Sequence, residues 1–144
     1  MKKIILITLM VLSIGCNSKK DEFKYGTFDL YENDTVVGTI YRMNNFQLEK
    51  YLDNSEVLAR IDYKTDSTYL ISGIEKNQIG IDTIIWLNTF KKINRTKYEI
   101  TAEPFNSDIK YEYEGIMVRT NDEIEKIYID TLNYLNKNFK KINQ

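Results

Sequence analysis

Three patterns predict a mainly β fold, an antiparallel meander of seven or eight strands forming a small barrel or strongly curved sheet, with one C-terminal amphipathic α-helix. From Phe23 to Thr120 apolar and polar residues alternate with a period of two, the mark of strands buried on one face. Clusters of Asn, Asp and Ser interrupt the alternation at short intervals, as hairpins require. Beyond Thr120 the apolar spacing lengthens to three to five residues, which suits a helix with one buried stripe.

The strands follow in order. "FQLEKYLD" puts Phe46, Leu48 and Leu52 on one side and Gln47, Glu49 and Asp53 on the other. "VLARIDYKT" sets Val57, Ala59, Ile61 and Tyr63 against Arg60, Asp62 and Lys64. "TKYEITAE" turns Tyr98, Ile100 and Ala102 inward, and "IKYEYEGIM" does so with Ile109, Tyr111 and Tyr113. Turns are expected at "END" (32–34), "NN" (44–45), "DNS" (53–55), "TDS" (65–67), "EKNQ" (75–78) and "PFNSD" (104–108), because Asn and Asp tolerate left-handed backbone. Pro104, the chain's one proline, is expected outside the strands because it has no amide to donate.

In "GIDTIIWLNTFKKI" the cluster Ile81, Ile84, Ile85, Trp86 and Leu87 reads as a strand through Leu87, with Trp86 as a core anchor rather than a ligand-stacking ring. "KKINRTK" reads as a solvated hairpin. In the last segment Ile124, Ile127, Leu132, Leu135, Phe139 and Ile142 form the stripe of a helix spanning 121–142. Thr120 and Glu123 match a capping box, Asp122 and Glu125 suit the positive end of the dipole, and Lys137, Lys140 and Lys141 suit the negative end. The stripe is expected to close one mouth or face of the sheet.

The N-terminus carries an address. Lys2 and Lys3, the apolar run Ile4 to Leu12 and the small Gly15 follow the three-part plan of a secretory signal peptide, residues 1–15. The run is shorter than the roughly 20 residues that span a bilayer. "LSIGC" resembles the lipobox of bacterial lipoproteins, although Ser13 stands where leucine is commonest and Leu12 lies one place early. That resemblance makes Cys16, the chain's single cysteine, the lipidation site and the anchor for palmitate and related acyl chains. Acylation also accounts for an unpaired thiol in an oxidising compartment. Several acyl chains hold a protein stably where one binds marginally. Residues 16–22 then form a lipidated tether. Lys19, Lys20, Asp21 and Glu22 resemble the lysine-plus-acidic export signal of surface-exposed Bacteroidetes-type lipoproteins, and equally suit any hydrophilic spacer. Residues 23–144 remain as a single β domain with its helix.

Charge and composition exclude several functions. The chain has 20 basic and 21 acidic residues, and loss of Lys2 and Lys3 makes the mature form more acidic still. Nucleic-acid binding wants a basic footprint. No histidine is present, so the commonest acid/base group and metal ligand is missing, and zinc sites built on Cys or His cannot form. Glu112 and Glu114 point the same way on a strand, as paired carboxylates of a glycoside hydrolase would, but exposed strand faces look alike. No phosphate loop, dinucleotide fingerprint, nucleophile elbow or calcium loop occurs. Eleven tyrosines could stack on sugars, though the accompanying Ile, Lys and Asn point to an AT-rich coding bias.

One short pattern recurs, Asp then Ser or Thr then a small or apolar residue, at "DTV" (34), "DST" (66), "DTI" (82) and "DTL" (130). It resembles the O-glycosylation acceptor of exported Bacteroidetes-type proteins. Thr35 and Ser67, in expected turns, are the better candidates over Thr83 and Thr131. "FKYGTFDLY", with Gly26, Thr27 and Phe28, and "IDTIIWLN", with Trp86, resemble a group of small Bacteroidetes-type lipoproteins across residues 23–103. That group carries a cysteine and a tyrosine after its tryptophan strand, where this chain has "NTFKKINRTKY". Some of its members bear a topoisomerase label that no residue here supports, and the resemblance supplies no catalytic residues.

The expectation is a lipid-anchored, non-catalytic binding or accessory factor of the bacterial cell envelope, at the outer membrane or cell surface, without a cofactor. Its partners would be the membrane, through the anchor, and a small apolar ligand held in a lipocalin-like barrel or else a protein. The alternative is a surface protein–protein interaction module of the inhibitor or immunity type.

Overall fold

The computed structural model describes residues 21–74 and 84–139. Eight antiparallel strands follow one another: β1 (Tyr25–Glu32), β2 (Thr35–Met43), β3 (Phe46–Tyr51), β4 (Glu56–Tyr63), β5 (Thr68–Gly73), β6 (Trp86–Lys92), β7 (Lys97–Pro104) and β8 (Tyr113–Asn121). Each pairs with the next, and β1 pairs with β8 from Thr27↔Asn121 to Tyr31↔Ile116, so the meander closes into a barrel. A helix, α1 (Lys126–Phe139), follows. No helix among the described residues is long and apolar enough to cross a membrane.

The turns form where asparagine and aspartate permit left-handed backbone. Asn33 (φ 46°) and Asp34 (φ 61°) join the paired Glu32 and Thr35, the two-residue turn whose twist matches its strands. Asn44 (φ 54°) and Asn54 (φ 67°) act similarly after β2 and β3. Gly26 has φ 133°, and a Cβ there would lie 2.7 Å from the Asn121 carbonyl oxygen, so β1 can pass close to β8 only with glycine.

Alternation divides each strand between lumen and exterior, and two cores result. The lower lumen holds Phe23, Phe28, Ile61, Tyr69, Tyr98 and Met117, with Leu30, Ile40 and Ile100 above them. Phe23 precedes β1 and plugs this end, stacked on Phe90 at 3.7 Å and edge-on to Phe28, Tyr69 and Tyr98. The second core lies outside the barrel, where α1 lays Leu132 and Leu135, with Ile124 just before it, over Tyr41 and Met43 of β2 and Phe46 and Leu48 of β3. The helix therefore covers a face of the sheet.

Several expectations need correction. In β3 the apolar Phe46 and Leu48 face the helix, and the polar Gln47 and Glu49 line the lumen, because α1 supplies an apolar cover outside. Leu52 lies beyond β3 and is 72% exposed. Val57 shares the lumen face with Ala59 and Ile61 as expected, but it lies near the mouth and is exposed where those two are buried. Ile109 and Tyr111 precede β8 and are exposed, so the inward alternation begins at Tyr113. Pro104 is the last residue of β7, opposite Trp86, a strand end where a missing donor is tolerated. The tryptophan strand begins at Trp86, and Trp86 belongs to neither core. Thr120 lies in β8 and its hydroxyl donates to the Thr27 carbonyl at 3.3 Å, so it does not cap α1, which starts at Lys126 rather than 121. Asp122 instead pairs with Arg119 at 2.7 Å. Ile127, placed on the stripe by its spacing, is 67% exposed. The signal peptide, Cys16, the "EKNQ" turn, Ile81, Thr83, Lys140, Lys141 and Ile142 lie outside the described residues.

Candidate functional site: the barrel lumen

The barrel is plugged below by Phe23 and holds a cavity of about 690 Å3 above it. Eight strands enclose an interior just wide enough to be filled by side chains or to hold one small ligand. Small residues decide between these here. The inward Gly38 sits beneath the Tyr51 ring, whose nearest carbon would be 3.1 Å from an added Cβ, and Gly115 sits beneath the Tyr113 ring and hydroxyl in the same way. Both rings lie along the wall instead of crossing the lumen. Among the described residues, a Cβ at Gly73 would meet nothing within 4 Å.

The lining falls into layers. At the floor Arg42, 1% exposed, donates from Nε to Gln47 Oε1 at 2.9 Å, and more weakly to the Tyr69 hydroxyl and the Phe23 carbonyl at 3.5 Å. Its guanidinium stands 4.4 Å from the centre of the Phe23 ring and 5.1 Å from that of Tyr69. Planar, weakly hydrated arginine is the cation best suited to such an aromatic bed. Gln47 Nε2 donates to Glu49 Oε1 and the Tyr51 hydroxyl to Glu49 Oε2, so one hydrogen-bonded line climbs from Arg42 to Tyr51. Above the floor the wall is apolar, with Leu30, Ile40, Ile71 and Ile100.

The mouth is aromatic and acidic. Trp86, half-buried, meets Tyr111 edge-on with ring centres 5.9 Å apart. Tyr51 and Tyr113 stand at the upper ends of β3 and β8, with Glu32 and Glu56 at the same level. Burial raises the phenol pKa of Tyr51, and the negative Glu49 raises it further. Burial likewise raises Tyr113, helped by Glu32. The Tyr113 oxygen is buried, and among the described residues it meets no hydrogen-bond partner at good geometry. Leu52, Phe105, Ile109 and Tyr111 stand exposed on the loops around this mouth.

Of the residues singled out from the sequence, Trp86 lines this cavity and the others do not converge on it. Thr35 is exposed at the start of β2, near the mouth, and Ser67 is exposed in the β4–β5 turn at the plugged end. Thr131 is on α1, its hydroxyl donating to the Ile127 carbonyl at 3.4 Å. Glu112 precedes β8 and Glu114 lies exposed on it, paired in register with Thr101. Arg42, Gln47 and Glu49 were not singled out, yet the two-residue turn Asn44-Asn45 sets Arg42 opposite Gln47, and that pairing was readable. No protein-family model matches the chain, and neither does any curated protein or solved structure.

Proposed function

We propose that this protein is a non-catalytic binding factor whose barrel holds one small, largely apolar molecule. The observation that carries this is the lumen of about 690 Å3 that the described residues enclose, apolar in the middle and polar at a few fixed points. Binding pockets for small molecules have this size and lining. Trp86 is the chain's one tryptophan and lines the cavity, so its emission reports occupancy. Titration with phenylnaphthylamine, a neutral apolar dye, should quench Trp86 and saturate at one dye per chain. Gly73→Leu, which fills open lumen, should abolish the quenching and leave the fold's circular dichroism unchanged. Failure of the dye to bind the wild type would end the reading.

The interaction-module alternative is supported by the exposed apolar residues around the mouth. Closure of the barrel removes the free strand edge that such a module would use for strand addition. Any partner would therefore meet loops rather than an edge.

The proposal includes export and acylation at Cys16, supported by the basic, apolar and small-residue plan before it. Glu22 pairs with Lys92 at 2.8 Å, beside the β6–β7 turn at the plugged end. From Cys16 to Asp21 the chain reaches at most roughly 17 Å. A lipid at Cys16 would thus hold the plugged end near the membrane and turn the mouth away from it. Palmitate labelling of cells should mark the wild type and not Cys16→Ser, and protease shaving of intact cells would separate surface from periplasmic display. A wild type without label would remove the anchor.

A further inference from the structure

We propose, resting on the binding reading above, that the ligand is a cationic amphiphile: an ammonium head on a compact apolar body. Among the described residues, the charges that line the cavity are three carboxylates, Glu32, Glu49 and Glu56, and one guanidinium, Arg42. Arg42 is not offered to a ligand. It is fully buried at the floor, bonded to Gln47 and laid against the Phe23 and Tyr69 rings. Glu56 shares its charge with Lys50 at 3.2 Å. Glu49 and Glu32 remain to set the potential of the upper lumen.

Each Glu49 oxygen accepts one protein hydrogen bond, from Gln47 or Tyr51, and a carboxylate oxygen can accept a second. Beside it stand the Tyr51 and Tyr113 rings, with Trp86 across the mouth. Aromatic faces attract ammonium groups, most strongly when partly desolvated. The raised phenols of Tyr51 and Tyr113, due first to burial and then to Glu49 and Glu32, agree with a negative upper lumen. The head therefore belongs at the level of Glu32 and Glu49, and the body beneath it on Ile71, Ile100, Leu30 and Ile40. Glu32 lies four residue steps from Phe28 along β1, a depth of roughly 10–13 Å for tilted strands, which suits a chain of octyl length.

The test compares octylammonium, octanoate and octanol, which share one tail, by calorimetry and Trp86 emission at low ionic strength. Octylammonium should bind about tenfold more tightly than octanoate, and salt should erode the difference. Glu49→Gln and, outside that hydrogen-bonded line, Glu32→Gln should each weaken octylammonium several-fold while octanol binding is unchanged. Retained octanol binding shows that the variant cavity is intact. Octanoate binding as tightly as octylammonium, or both variants leaving octylammonium unaffected, would overturn the charge assignment and leave the binding function standing. If none of the three binds and phenylnaphthylamine also fails, the binding function itself falls.

Discussion

Arg42 and Gln47 face each other across the β2–β3 pair inside the barrel, with Nε and Oε1 2.9 Å apart. This contact has an asymmetric cost. Arg42→Met leaves the buried Gln47 carbonyl without its donor, about 1–3 kcal/mol. Gln47→Leu removes the nearest acceptor from a buried cation, about 3–5 kcal/mol by analogy with broken buried pairs. The double variant should lose less than the sum, since neither group is then stranded. Urea unfolding of all four forms checks this, and strict additivity would show that the two side chains do not stabilise one another.

The helix makes a contrast of a different kind. Leu132 and Leu135 are fully buried against β2 and β3, so truncating either to alanine should cost about 2–5 kcal/mol. Ile127→Ala, at an exposed position, should stay within about 0.5 kcal/mol. Thermal denaturation of the three variants should show two large losses and one near-silent change.

These positions also show how far the sequence could be read. Strand number, the Asn and Asp turns after β1, β2 and β3 and the change of period at the C-terminus are local signals, and the structure bears them out. Which face of β3 looks inward is not local. Phe46 and Leu48 read as core, and they are core, but to a helix that joins them from some 80 residues along the chain. The polar lumen of Gln47 and Glu49 was hidden for that reason. Ile127 and Thr120 were misplaced because β8 continues to Asn121 and delays the helix. The cavity was least legible, since it depends on where Gly38, Gly73 and Gly115 fall across the barrel.

Those glycines predict opposite outcomes for one substitution. At Gly38 a Cβ would lie 2.8 Å from the Lys50 carbonyl oxygen, a backbone atom that cannot swing away. Gly38→Ala should therefore destabilise by about 1–3 kcal/mol, as overpacking does. Gly73→Ala meets open space and should be neutral or slightly stabilising through the unfolded chain. Guanidinium unfolding midpoints should fall for the first and hold or rise for the second.

Alkaline pH should unfold the barrel cooperatively. Tyr63, pushed up to about 12 by burial against the counteracting Arg42 charge, stays protonated in the fold where an unfolded tyrosine ionises near 10. Tyr41 is raised to about 12 as well, by burial and by the neighbouring Tyr128. Tyr51, Tyr69, Tyr98 and Tyr113 are shifted the same way, each first by burial. Above about pH 10 the unfolded chain therefore binds fewer protons than the folded one, and stability declines as pH rises. The contribution of these groups is complete below about pH 10, and that of Tyr41 and Tyr63 is lost as pH passes through about 12. The tyrosinate absorbance of this buried set should rise together with the loss of β circular dichroism. A single reversible phase near 10 with the β signal intact would mean that these phenols are open to water.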